Sequence, residues 1–153
     1  MVLRRWSLGV VLVICAMLVP RLASAAGPYQ FYPITPCRLV DTRNPPGLNG
    51  GPALAAGAVR NFQVTQLCGV PMTAQAAALN LTMVGPTQDG FLVVWPYNTG
   101  QPYTSNINAT GGTPAIANGC LVGLTTGSLN ISATFGAGAG TTNVVVDITG
   151  YYQ

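Results

Sequence analysis

Apolar and polar residues alternate with a period of two along much of this chain. Leu129, Ile131, Ala133 and Phe135 alternate with Ser128, Asn130, Ser132 and Thr134, which predicts a strand with one face on a core. Val144, Val146 and Ile148 share one face of a closing strand, opposite Val145, Asp147 and Thr149, and Gly150-Tyr151-Tyr152 ends it. Ala74 to Val84 is rich in alanine, but Leu79, Leu81 and Met83 alternate with Asn80, Thr82 and Val84, so a strand is predicted there rather than a helix. Phe91 to Trp95 is an unbroken β-rich run that stops at Pro96. Asp89-Gly90 ahead of it reads as a hairpin dipeptide, so residues 76–84 and 90–95 are expected to be antiparallel neighbours.

Other segments carry weaker signals. Arg60, Phe62 and Val64 alternate with Val59, Asn61 and Gln63, placing Phe62 and Val64 on one face before Gly69-Val70-Pro71 breaks the run. Residues 105–109 and 115–124 are two weaker strands about Gly111-Gly112. Residues 28–34 are aromatic and interrupted by prolines, which suits an edge strand or an extended arm. Residues 44–57 hold three Pro and four Gly and read as a loop with large unfolded freedom and few folded contacts. About eight short strands without a convincing helix predict an antiparallel β-sandwich, with a closed barrel as the alternative. Leu79, Leu81, Val93, Leu129, Ile131, Phe135, Val144, Val146 and Ile148 are its expected core.

The first 25 residues have a different character. Arg4 and Arg5 precede an apolar run from Leu8 to Val19, followed by Pro20 and Ala23-Ser24-Ala25-Ala26, the layout of a cleavable secretory signal. A run of about 12 apolar residues is short of the roughly 20 that cross a bilayer. The expected organisation is therefore a signal peptide over residues 1–25 and one domain over residues 26–153, secreted or held at the cell surface, with no membrane contact after cleavage. Removing the signal leaves Arg38, Arg43 and Arg60 against Asp41, Asp89 and Asp147, hence no net charge. Without lysine or a basic cluster, nucleic acid is not an expected partner. A neutral surface gives little repulsion between copies and favours association.

Five blocks of the chain stand in a recognisable order. They are Ile34-Thr35-Pro36-Cys37-Arg38-Leu39-Val40-Asp41-Thr42-Arg43, Cys68-Gly69-Val70-Pro71, Leu79-Asn80-Leu81-Thr82, Gly90-Phe91-Leu92-Val93-Val94-Trp95-Pro96 and Val146-Asp147-Ile148-Thr149-Gly150-Tyr151-Tyr152. In these blocks the chain resembles a widespread family of exported bacterial β-domains, found singly or in tandem in large surface proteins and beside cell-wall hydrolases. The resemblance implies a surface or cell-wall accessory domain and names no ligand; Cys120 departs from the family pattern.

The three cysteines after the signal allow three pairings. The resemblance places Cys37 and Cys68 in family blocks, and each abuts a Pro or Gly break, which favours a bridge between them. Cys120, followed by Leu121 and Val122, then reads as a buried small hydrophobe or as one half of an intermolecular bridge.

Candidate chemistry is sparse. Asp41-Thr42 matches the start of an aspartic-protease motif, but Arg43 replaces the glycine and no second motif supplies the partner carboxylate that mechanism requires. With no His, Glu or Lys in the chain, the usual proton-transfer groups are nearly absent, and no enzymatic activity is expected. Asp41 and Arg43, with Asp147 as a further partner, are candidates for structural ion pairing; simple solvation is the alternative. Trp95, Tyr97 and Tyr103 surround one loop and are candidates for stacking on sugar rings, although aromatics more often fill cores and edges. Asp89 alone is too little for a calcium site, and neither metal nor cofactor is expected. The function this predicts is a non-catalytic extracellular structural or adhesion domain, with itself or cell-envelope polysaccharide as partner; a carbohydrate- or cell-wall-binding module is the alternative.

Overall fold

The computed structural model describes residues 27–136 and 138–153, so the signal peptide assigned to residues 1–25 lies outside the described residues. Among the described residues there is no helix, and so none long and apolar enough to cross a membrane. Within the described residues nine strands form: β1 (Phe31–Asp41), β2 (Leu54–Ala55), β3 (Val59–Gln63), β4 (Ala76–Val84), β5 (Gly90–Pro96), β6 (Ile107–Ala109), β7 (Ala115–Gly123), β8 (Ser128–Phe135) and β9 (Thr141–Tyr152). They make two antiparallel sheets, ordered β1-β9-β4-β7 and β3-β8-β5-β6, with β2 added to β9. Among the described residues a single isolated bridge, Ala56 to Ala133, runs between the sheets and no ladder closes them, so the architecture is a sandwich and not a closed barrel.

The period-two patterns explain what lies between the sheets. Leu79, Leu81 and Met83 of β4 oppose Ile148, Val146 and Val144 of β9. All six are buried, and they pack with Phe62, Leu92, Val94, Leu129, Ile131 and Phe135 of the other sheet. Phe62 and Val64 do share the inner face and are fully buried. Because a one-residue slip would turn every one of these side chains outward, the register is strongly specified. The first and last strands close the sheet. Phe31 and Tyr32 of β1 sit opposite Tyr152 and Tyr151 of β9, with ring centroids 5.2 and 5.3 Å apart.

Three expectations need correction. Residues 76–84 and 90–95 are not paired neighbours: β4 lies between β7 and β9 in one sheet, while β5 pairs β6 and β8 in the other. Asp89-Gly90 is therefore a crossing between sheets, and Gly90 is required for a different reason than a hairpin turn. A Cβ at that position would collide with the Thr134 carbonyl and the Phe135 ring. Second, residues 44–57 are not wholly loop, because Leu54 is fully buried and β2 pairs with β9. Third, Val93 is buried as expected but outside the core cluster. It lies beside Ser132, on the opposite face from Leu92 and Val94, so both faces of β5 are covered. The polar side of β8 is buried too: Asn130 sits between Asn61 of β3 and Trp95 of β5, and Ser132 between Val59 and Val93.

Candidate functional site

Four of the six charged residues in 27–153 gather at the end of β1. Register places Arg38 opposite Asp147 and Asp41 opposite Val145, on the side of the sheet away from Val40, Val146 and the core. Arg38 donates through Nε and Nη2 to the Asp147 carboxylate and through Nη1 to Asp41 Oδ2 at 3.1 Å. Arg43 closes on Asp41 from the other side, with Nε 2.8 Å from Oδ1 and Nη2 2.6 Å from Oδ2, and its own amide also donates to Oδ1. Asp41 thus accepts from two guanidiniums and a backbone amide, a pattern that strongly favours the ionised form. Hydrogen bonding from Arg43 is the main cause holding its pKa down to about 2, against an opposing effect of burial. The same contacts raise the pKa of Arg38, chiefly through Asp147, and of Arg43 through Asp41.

Of the residues expected to pair, the structure brings Asp41 to Arg43, but Asp147 bonds to Arg38 rather than to Arg43. Arg38 is the link between the two carboxylates. Thr42 extends the network: its hydroxyl accepts from the Val144 amide at 2.8 Å and donates to Asn143 Oδ1.

Two further residues order the loop that the sequence reading left nearly without contacts. Asn49 Nδ2 donates to the carbonyls of Leu39 and Gln63, and Asn49 Oδ1 accepts from the Gln63 amide. One side chain therefore ties β1 of one sheet to β3 of the other. Arg60 faces inward at the end of β3, its guanidinium 4.8 Å from the Phe62 ring centroid. It donates to the carbonyls of Gly50, Gly51 and Pro52, and partial burial pushes its pKa down. A planar fork with five donors suits this capture of successive carbonyls. Arg60→Ala is expected to cost about 1 kcal/mol and to make residues 44–57 the first site of limited proteolysis. Unchanged cleavage kinetics would show that the loop does not depend on these bonds.

Cys37 and Cys68 form a disulfide with Cα atoms 5.9 Å apart, joining β1 to the turn that follows β3. Cys120 is a free, half-buried thiol on β7, and burial pushes its pKa up.

The three aromatic candidates are not brought together as a platform. Trp95 is buried, and its indole N–H donates to the Thr99 carbonyl, so it presents no face to a sugar. It sits beside Asn130 on the outer side of β5, and its N–H anchors the turn that follows the strand. Tyr97 and Tyr103 are exposed. Tyr103 lines a shallow cleft of about 490 Å³ with Phe91, Val93, Gln101 and Asn108. Asp89 accepts from the Gly111 amide at 2.8 Å. Among the described residues no group of three potential metal ligands converges. No protein-family model matches the chain, and a search of curated proteins likewise finds no match.

Proposed function

We propose that this is a non-catalytic structural or adhesion domain of the bacterial cell exterior, working through contact with further copies of itself. One observation carries the reading. All six charged side chains in residues 27–153 are committed to holding strands and loops: four in the Arg38, Asp41, Arg43 and Asp147 network, Arg60 on loop carbonyls and Asp89 on a backbone amide. Catalysis by proton transfer needs a positioned group with a proton to give or take, and here the carboxylates are spoken for. What remains outward is a surface without net charge, on which Ala, Gly, Thr and Asn alternate with exposed apolar side chains such as Phe31, Tyr103 and Leu121, with little charge to keep copies apart. The disulfide suits an oxidising compartment, in keeping with the export signal and with the resemblance to exported surface domains.

Sedimentation velocity over a wide concentration range tests the reading. A sedimentation coefficient that rises with concentration is expected; a monomer at every concentration would contradict it. The cleft beside Tyr103 favours a second reading, a polysaccharide-binding module. Its volume lies within the roughly 300–1,000 Å³ of ligand pockets, and Gln101 and Asn108 offer amides beside two aromatic rings. Retention of a monomer on peptidoglycan or cell-wall polysaccharide, lost in Tyr103→Ala, would establish that reading in place of the first.

A further inference from the structure

The four edges of the two sheets are not equally protected against pairing with another chain. β1 carries Pro33, Pro36 and Arg38 and two register shifts. β3 has five residues including Arg60, and β6 has three. Prolines, charges, irregularities and shortness are the devices that blunt an edge strand. β7 has none of them: its nine residues, Ala-Ile-Ala-Asn-Gly-Cys-Leu-Val-Gly, hold no charge and no proline and pair with β4 without a shift.

The parity of its hydrogen bonds shows which groups are open. Leu124 donates to the Gln75 carbonyl and Gly85 donates to that of Pro114, at the two ends of the β4–β7 ladder. Hydrogen-bonded pairs alternate in an antiparallel ladder, so the even-numbered residues of β7 bond to β4. Ala115, Ala117, Gly119, Leu121 and Gly123 therefore direct their N–H and C=O groups away from the sheet. All five are exposed. Such a row is satisfied in kind only by another strand.

We propose that β7 pairs antiparallel with β7 of a second copy about a two-fold axis at Cys120, joining two five-stranded sheets into one, and that the two Cys120 thiols are bridged across that axis. This rests on the self-associating reading above and specifies its surface. In this register Gly119 lies opposite Leu121 of the second copy and Ala117 opposite Gly123. The large side chain thus meets a glycine, which with Ala78 and Thr149 lines a recess of about 310 Å³ beside the strand. The even-numbered residues form non-hydrogen-bonded pairs across the new interface, at a Cα separation of about 4.5 Å. That falls within the roughly 4.4–6.8 Å that a disulfide spans, so Cys120 faces its own copy at bonding distance. With Cys37 and Cys68 already joined, it is the thiol left over in an exported chain. Bridging is an exchange with a small-molecule disulfide: one S–S bond forms between the copies, one is cleaved in the oxidant, and the two thiol protons pass to the two small thiols released. The domain carries three Arg and three Asp, none of them on β7, so no like-charge contact opposes the approach.

The experiment is light scattering coupled to size exclusion on the exported protein, incubated with oxidised glutathione and then with or without reductant, alongside peptide mapping. The expected result is a dimer linked by a Cys120 to Cys120 peptide, which reductant converts to a concentration-dependent non-covalent dimer. Leu121→Lys places a charge on the edge at a side chain 65% exposed, and Ala117→Pro removes only an outward N–H. Both are expected to be monomers with the unfolding transition of a folded protein. A wild-type dimer that persists in both variants would leave self-association standing and overturn this surface. A dimer in which Cys120 remains a free thiol would overturn the register, and a wild-type monomer under oxidising conditions would overturn both the inference and the reading beneath it.

Discussion

Reduction of the Cys37–Cys68 bond, or the double substitution Cys37→Ser Cys68→Ser, is expected to lower the melting temperature by on the order of 10 °C. The bridge closes a loop across a sequence separation of 31, which the chain-entropy treatment values at roughly 3.7 kcal/mol. That is a large part of the roughly 5–15 kcal/mol by which a domain is stable. The effect acts mainly on the unfolded chain, because the enclosed residues 44–57, with their three prolines and four glycines, are widely free there. In the folded state the same residues are held by Asn49, Arg60 and β2, so cutting the bridge leaves these contacts to order the loop unaided. Differential scanning calorimetry with and without reductant measures the shift; a change of only a degree or two would mean that the loop is already ordered in the unfolded ensemble.

Acid is expected to remove a second part of the stability, in a window set by Asp41. Its carboxyl is held at about 2 in the fold against an ordinary 3.8. A group whose folded pKa is depressed stabilises fully above its unfolded pKa and loses that contribution as pH falls toward the folded value. Urea midpoints should therefore be flat in this respect above about pH 5 and decline as pH falls below 3.8 toward 2. Asp41→Asn should weaken the protein at neutral pH by about 1–2 kcal/mol, the lower part of the range for charged hydrogen bonds because both guanidiniums are half exposed. It should also flatten the acid limb. A variant with the same acid limb as the wild type would place the pH dependence elsewhere.

The fold was legible wherever one strand face met the core and the other did not. Leu129 to Phe135 and Val144 to Ile148 announce their faces by alternation, since the core lies on the side of every second residue, even though Asn130, Ser132 and Val145 on the other side are buried as well. Pairing between strands was not legible in the same way. Asp89-Gly90 carries the composition of a hairpin turn, but local turn chemistry does not reveal that the chain leaves one sheet for the other, and Gly90 answers to Thr134 and Phe135, far away in sequence. Of the candidate site, the rarity of charge pointed to Asp41, Arg43 and Asp147. The bridging role of Arg38 follows only from the β1–β9 register, which no local pattern contains. Arg60 could have been noticed, because a lone arginine in phase with Phe62 and Val64 must find partners at the rim of the core. Asn49 gave no such signal: in a Gly- and Pro-rich loop an Asn reads as turn chemistry, and its bonds to Leu39 and Gln63 depend on how two sheets close around it. Trp95 misled because a tryptophan before a loop suits either a binding face or an anchor, and the Thr99 carbonyl decides for the anchor.

Residue-resolved amide exchange by NMR as a function of protein concentration tests most directly whether this is a structural domain that assembles through the β7 edge. The amides of Ile116, Asn118, Cys120 and Val122, bonded to β4, are predicted to be protected at all concentrations. In the Cys120→Ser protein, which cannot be bridged, those of Ala117, Gly119, Leu121 and Gly123 are predicted to exchange freely in dilute solution and to gain protection together as concentration rises. Free exchange of these four at every concentration, or new protection confined to another part of the surface, would contradict the account.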